Sequence, residues 1–280
     1  MRKPKALTMN KYLLVPTSFF LAVLIGACQS LSGGGLGGAD ESAQRVLKVV
    51  TSGGFSAAYD TLAPQFEAQT GIRLLTAYGA SSGGAPDSIP VRLERGEQFD
   101  VIIMSRSSLD ELVDNGAVRP DTRRDLARSS IGMAVREGAH VPDISTADLF
   151  IDTLRGAESF GYSASVSGTY LSTVLLPRLG LWDELEPKSR RIVSERVAAV
   201  VARGEVEIGF QQVSELVRVK GATLVGPIPQ EFQRVTTFSA GITTHTGSVG
   251  DAQRLMDYLS SADVADTIAG TGLEPVVLEQ

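Results

Sequence analysis

Short apolar runs bounded by glycine, serine or threonine alternate along most of this chain with longer stretches in which apolar residues recur every three or four positions. The first rhythm predicts strands and the second predicts helices. Val46–Thr51 reads as a strand, and Phe55–Thr70 as a helix through Phe55, Tyr59, Leu62 and Phe66, with Gly71 as its stop. Strand Ile72–Ala77, helix Ile89–Gly96, buried strand Asp100–Met104 and helix Ser108–Asn115 continue the series. A second series follows. It holds strand Ile131–Arg136, helix Ala147–Arg155, strand Ser159–Tyr162, helices Thr169–Leu179 and Arg191–Ala202, strands Ile208–Gln211 and Val235–Thr243, and helix Gly250–Ser260. Strands alternating with helices predict an α/β fold with crossover helices. Two series predict two lobes, with the chain crossing near Ser130–Val135 and returning near Thr236–Ile242. The expected boundaries are 46–130 plus 242–280 for the first lobe and 131–241 for the second.

Ahead of the first strand neither rhythm holds. Arg2, Lys3, Lys5 and Lys11, with no acid among them, precede a mostly apolar run from Tyr12 to Ile25. Pro16, Thr17 and Ser18 interrupt that run, which falls short of the roughly 20 apolar residues of a membrane-spanning helix. Positive charge followed by a short apolar run is the pattern of a secretory signal. The run closes at Leu24-Ile25-Gly26-Ala27-Cys28, which resembles the lipobox of bacterial lipoproteins and implies acylation of Cys28. The competing reading is a plain signal peptide with an incidental cysteine. Residues 1–28 are thus expected to be signal and lipobox. Residues 29–45, with Gly33–Gly35, Gly37 and Gly38, are expected to be a tether that builds no core.

Composition narrows the chemistry. Cys28 is the one cysteine in 280 residues, so no internal disulfide and no cysteine-based metal cage can form. His140 and His245 are the two histidines, which leaves a zinc site or a Ser-His-Asp triad little to draw on. No metal and no cofactor are expected. A net charge of −6 lacks the basic footprint of a nucleic-acid binder. It does not exclude an anionic ligand, because local dipoles and one or two arginines decide a small-anion site.

Three small-residue loops each fall between a strand and a helix: Thr51–Gly54 with Ser52, Gly53 and Gly54; Gly79–Ala85 with Ser81 and Ser82; and Ser163–Thr169 with Ser165, Val166 and Ser167. In an open α/β sheet, ligands bind at the carboxyl ends of strands beside helix N-termini, where free N–H groups and the helix dipole favour an anion. Each loop alone reads equally as an ordinary cap or turn. Together, divided between two lobes, they read as a site. None matches a GxxxxGK[ST] or GxGxxG phosphate loop. Arg106 follows the strand Asp100–Met104 and is either a bidentate carboxylate clamp or a solvated charge. Gln211 and Gln212 either bind ligand or cap a helix at Ser214–Val219, and Glu215 is either a general base or an exposed helix acid.

As a set, Leu47–Phe66, Thr70-Gly71-Ile72, Gly79-Ala80-Ser81-Ser82, Gly96–Ile103, Gly161–Tyr170 and Gly204–Phe210 resemble the molybdate-type periplasmic solute-binding proteins, a branch of the two-lobed type II binding proteins. The resemblance runs from Val46 to the C-terminus. It implies two α/β lobes joined by two crossing strands, a small anion in the cleft between them, and uptake through the membrane subunits of an ABC transporter. It also implies a periplasmic or cell-envelope location, with the membrane touched only through the lipid anchor. Loops, strand ends and resemblance together give an expected ligand-binding set of Ser52, Gly53, Gly54, Ser81, Ser82, Arg106, Ser165, Val166, Ser167, Tyr170 and Gln212. The chain departs from the family pattern at three of these. Gly54 stands where the family has a serine hydroxyl, Arg106 where an acid is common, and Gln212 where molybdate binders often have a tyrosine. Arginine, glutamine and a longer second loop through Pro86–Pro90 suit a carboxylate better than a tetrahedral oxyanion. The same branch contains an exported isomerase of cis- and trans-aconitate, so a receptor for an organic acid or an oxyanion is expected first, an isomerase second and a surface lipoprotein without a ligand last. An isomerase needs a base for an allylic proton, and the sequence singles out none; Glu215 and Tyr170 are candidates.

If Cys28 carries the lipid, Cys28→Ser is expected to abolish acylation and to move the protein from the detergent phase to the aqueous phase in detergent partitioning. Unchanged partitioning would remove the lipoprotein reading.

Overall fold

A computed structural model describes residues 45–277. The signal, lipobox and tether readings, Cys28 included, therefore lie outside the described residues, Arg45 apart.

Eleven strands form two mixed sheets among the described residues. The first sheet holds β1 (Val46–Ser52), β2 (Arg73–Gly79), β3 (Val101–Ser105), β4 (Arg124–Ser129), β10 (Thr236–Ile242) and β11 (Glu274–Pro275), in the order β11-β4-β10-β3-β1-β2. The second holds β5 (Ile131–Arg136), β6 (Phe160–Ser163), β7 (Ser189–Ile192), β8 (Ile208–Gln212) and β9 (Ala222–Pro227), in the order β7-β6-β8-β5-β9. Only Ser130 separates β4 from β5, and residues 228–235 bring the chain back from β9 to β10. These are the two crossings. The strand Thr236–Ile242 pairs with β3 and β4, so residues 236–241 lie in the first sheet rather than with the second lobe to which the sequence assigned them.

Continuous apolar runs bury the central strands on both faces. Leu47, Val49, Val101 and Ile103 pack under α1 (Gly53–Thr70), against Phe55, Tyr59, Leu62 and Phe66. Val50, Ile102 and Met104 point the other way, toward Ile89 of α2 (Ile89–Glu94) and Leu109 and Leu112 of α3 (Arg106–Asp114). This is the two-step alternation of a strand covered by helices on both sides. In the second lobe Phe150, on α4 (Ala147–Gly156), stacks at 5.9 Å on Phe210 and at 5.8 Å on Phe232. The helical run after β6 consists of α5 (Val166–Tyr170), a π turn (Leu171–Leu175) and α6 (Leu176–Arg178). Beyond it come α7 (Trp182–Leu185), α8 (Val197–Ala202) and α9 (Val213–Leu216), and the first lobe closes with α10 (Val249–Leu259) and α11 (Ala265–Ala269).

Strands β4, β7, β9 and β11 escape the sequence pattern. Arg124, Asp125 and Arg128 break the apolar run in β4, β9 lies at a sheet edge with no fully buried residue, and β11 has two residues. The expected helix Arg191–Ala202 is two elements. Ser189–Ile192 is strand, and Ser194 turns left-handed at φ 60°, which no helix accommodates, so α8 starts only at Val197.

Phe150→Ala should destabilise the protein by about 3–5 kcal/mol, through the cavity left among three phenyl rings. The neighbouring Leu149→Ala, at a position 39% exposed, should stay within about 0.5 kcal/mol. Urea unfolding of both variants checks the pair.

Candidate functional site

Each helix-capped strand delivers its carboxyl end to one cavity of about 320 Å³ between the sheets. That volume lies at the lower end of the range for small-molecule pockets. From the first lobe come Ser52 at the end of β1, Gly53, Gly54 and Ser56 of α1, Gly79 and Ser81 after β2, and Ser105 at the end of β3. From the second come Ser163 at the end of β6, Ser165, Val166 and Ser167 at the start of α5, Ser194 and Arg196 between β7 and α8, Gln211 and Gln212 at the end of β8, and Glu215 on α9. The lobes are closed on each other. Ser214 Oγ donates to the Gly54 carbonyl at 2.8 Å, and Arg196 Nη2 donates to Ser56 Oγ at 3.0 Å. Nearer the mouth, Arg191 Nη2 donates to the Gly83 carbonyl at 2.9 Å and Ser194 Oγ to Asp87 Oδ1 at 2.5 Å.

The three predicted loops therefore meet. Ser52, Gly53, Gly54, Ser81, Ser165, Val166, Ser167 and Gln212 all line the cavity. Ser52 Oγ is buried and has no hydrogen-bond partner among the described residues, which leaves a hydroxyl donor for a ligand oxygen. Gly54 is glycine because Phe238 fills the space: a Cβ there would fall 2.0 Å from the ring.

Other expected residues are placed elsewhere. Arg106 is absent from the cavity wall. Its guanidinium turns outward to Asp125 at 2.9 Å and Asp110 at 3.9 Å, half-exposed and away from the cleft. A strand-end position fixes where a Cα lies, and Asp125 on the unread strand β4 decided where the side chain went. Tyr170 is buried away from the cavity, with its hydroxyl donating to the Phe232 carbonyl at 3.1 Å and Arg234 lying over its ring, so it is not the base. Ser82 does not reach the cavity wall. Gln212 reaches it, but its amide serves the crossings. With its oxygen accepting from Thr236 Oγ1 at 2.8 Å, its nitrogen donates to the carbonyls of Ser129 at 3.0 Å and Ser130 at 3.2 Å.

Two residues give the cavity its chemistry. Arg196 is the one lysine, arginine or histidine among the lining residues, and no carboxylate pairs with it among the described residues. Reading residues 191–202 as a single helix hid it. Glu215 is the acid inside. Its Oε1 accepts from Gln211 Nε2 at 2.8 Å, and no protein hydrogen bond reaches Oε2 among the described residues. It sits against the first residue of α1 so closely that a Cβ on Gly53 would lie 2.3 Å from Oε1. Burial pushes its pKa up to about 7, while the Arg196 charge and the Gln211 hydrogen bond pull it back only in part. An acid with such a value at neutral pH can accept a proton and release it again. Asp87 and Glu195 also border the cavity, Asp87 engaged by Ser194 and Glu195 by Arg203.

Known proteins share this architecture. A profile of the bacterial extracellular solute-binding proteins matches residues 47–274. An aconitate isomerase of Pseudomonas sp. is 46% identical over 230 residues, which is 82% of this chain and 88% of that protein. Among solved structures, the periplasmic molybdate-binding protein of Azotobacter vinelandii superposes with a TM-score of 0.66 at 22% identity, over 84% of this chain and 100% of that one. The sulfate-binding protein SubI of Mycobacterium tuberculosis superposes with a TM-score of 0.63 at 19% identity, over 83% and 87%. The two-lobed binding-protein fold inferred from the sequence is thereby shown.

The shift at Glu215 has a sign for stability. The unfolded chain releases this proton near the ordinary 4.5, the folded protein near 7. Between those values the folded state holds a proton that the unfolded state has lost, so stability falls as pH rises through the window and stays lowered above it. Glu215→Gln should therefore raise the unfolding free energy by about 2–3 kcal/mol at pH 8 and by almost nothing at pH 4. Thermal melts at both pH values check this.

Proposed function

The chain belongs to the family of bacterial extracellular solute-binding proteins, and on that premise we propose that it is an exported isomerase interconverting cis- and trans-aconitate, with Glu215 as its base. The observation that carries this reading is a carboxyl of raised pKa lining an anion-sized cavity, in the field of the one arginine that also lines it. A receptor for a tetrahedral oxyanion is served by hydroxyls and amides. It gains nothing from a buried acid that lowers stability above pH 7 and repels an anion once ionised. The 46% identity to an aconitate isomerase over most of both chains supports the same reading.

The chemistry is a proton shift within one molecule. Aconitate carries a methylene flanked by a carboxylate and by the carbon–carbon double bond. The Glu215 carboxylate takes a methylene proton, and the electron pair spreads over the three-carbon unit and onto its carboxylates. The carboxylic acid so formed returns a proton to the former vinylic carbon. The double bond has then moved to the other arm, and its geometry follows from how the arms are held. Atoms and electrons balance without a co-reactant. Arg196 has the planar fork to hold one carboxylate. The orphan hydroxyl of Ser52 and the first N–H groups of α1 supply donors where negative charge builds in the dienolate. Arg196 takes over the carboxylate-gripping role expected of Arg106.

The competing reading is a receptor that delivers an organic polycarboxylate or an oxyanion to ABC-transporter membrane subunits; the family description supports solute binding in general. In both readings the protein works outside the cytoplasm, held to the envelope if Cys28 is acylated. Ultraviolet-monitored turnover separates them. Wild type should interconvert the aconitates, and Glu215→Gln should lose about 10²–10⁴-fold in kcat while still binding trans-aconitate in calorimetry. Arg196→Lys should weaken carboxylate binding and Arg196→Ala should weaken it more, by about 2–5 kcal/mol. Wild type that binds aconitate without turning it over would hand the site to the receptor reading, and preference for molybdate or sulfate would reject the carboxylate altogether.

A further inference from the structure

We propose that Gln211 is a positioning residue that ties the base Glu215 to the loop carrying Arg196, so that one side chain sets both the free oxygen of the base and its spacing from the carboxylate grip. This inference rests on the reading of Glu215 as the base.

Gln211 is 4% exposed and is the penultimate residue of β8, which pairs with β5 on one side and β6 on the other, so its root is fixed. Its amide makes two bonds of 2.8 Å. Oε1 accepts from the backbone N–H of Val197, the first residue of α8 and the neighbour of Arg196, and Nε2 donates to Glu215 Oε1. The first bond dictates the second. A backbone N–H can only donate, so the amide oxygen must face Val197 and the amide nitrogen must face the carboxyl. Turning the amide over would set N–H against N–H and oxygen against oxygen. Gln211 is thus a permanent donor to one oxygen of Glu215, which leaves Oε2 as the oxygen free to take a proton.

The strut is needed because α9 is a single turn, four residues long, and holds Glu215 poorly by itself. The other wall against Glu215 is Gly53, which carries no side chain and no charge. Of the charged and titratable groups bordering the cavity (Tyr78, Asp87, Glu195 and Arg196), only Arg196 acts on Glu215's ionisation. Gln211 is the remaining group favouring the charged form.

Gln211→Leu removes both bonds at similar volume. Gln211→Glu keeps an acceptor for Val197 N–H but sets a second carboxyl against the base. Two readouts apply to both variants: the pH profile of aconitate turnover, and a titration of the Glu215 carboxyl by infrared spectroscopy of ¹³C-glutamate-labelled protein. The Glu215 band is identified by its loss in Glu215→Gln, and this titration needs no turnover. Gln211→Leu is expected to lower kcat about 100-fold, the loss that a ~1 Å misplacement brings, with KM within about threefold of wild type. It should also move the acidic limb and the band's midpoint up by about one pH unit. Gln211→Glu should move both further, and it tests the inference even if the leucine variant does not fold. An unmoved midpoint in Gln211→Glu, or a pH-independent loss of rate in Gln211→Leu, would overturn the proposal. If wild type proves inert toward aconitate while the midpoint still moves, the strut stands and the isomerase reading falls. If wild type is active and the midpoint stays put, the strut alone falls.

Discussion

Enclosure of the partly buried Glu215 side chain where the two lobes meet is the constraint around which the cleft is built. Its side chain belongs to the second lobe, yet its nearest wall is Gly53 of the first. The enclosure that raises its pKa therefore exists only while the lobes are together. Two of the direct bonds across the gap, Ser214 to Gly54 and Arg196 to Ser56, lie on elements that also line the cavity. Closure and the state of the acid are one event. Opening the cleft would bring water to the carboxyl and relax its pKa toward the ordinary range, and closing it would raise that pKa again.

Glycine does much of this work by omission. Any Cβ at Gly53 would take the space of Glu215 Oε1, and any Cβ at Gly54 would strike Phe238. Gly83, at φ 103°, lets its loop approach so closely that a Cβ would meet the Ala164 carbonyl of the other lobe at 1.8 Å. The small-residue loops therefore serve close approach of backbone to backbone and to the base, as well as ligand donors.

What the sequence could disclose follows from how far each residue's role is local. Val46–Ser52, Gly53–Thr70 and Val101–Ser105 could be read because an apolar rhythm is a property of a segment and its own burial. The loops Ser52–Gly54, Ser81 and Ser165–Ser167 could be read because strand ends must gather at one edge of a sheet. Arg106 and Tyr170 could not be placed, since their side chains were claimed by Asp125 and by the Phe232 carbonyl, partners distant in the chain. Arg196 was hidden by Ser194: valines at helical spacing after it suggest a helix running back through the whole segment, and only the left-handed turn shows that the helix starts late. Glu215 was visible as a candidate but could not be told from an exposed acid, because its burial is supplied by the opposite lobe.

Gln211 and Gln212 show how much one strand end can carry. Adjacent residues of a strand face opposite sides. Gln211 turns toward α8 and the base, while Gln212 turns toward Ser129, Ser130 and Thr236, where the chain passes between lobes. One strand end therefore ties both the Glu215 carboxyl and the crossings between the lobes. A two-lobed receptor already needs a hinge, a cleft of donors and a closure that excludes water. To turn such a cleft into an isomerase, physical chemistry asks for little more than an acid at the lobe boundary, a donor to fix which of its oxygens is free, and a cation to hold the substrate at the right distance. Glu215, Gln211 and Arg196 meet those three requirements within the stretch of chain from residue 196 to residue 215, around a single strand and the two short helices that flank it.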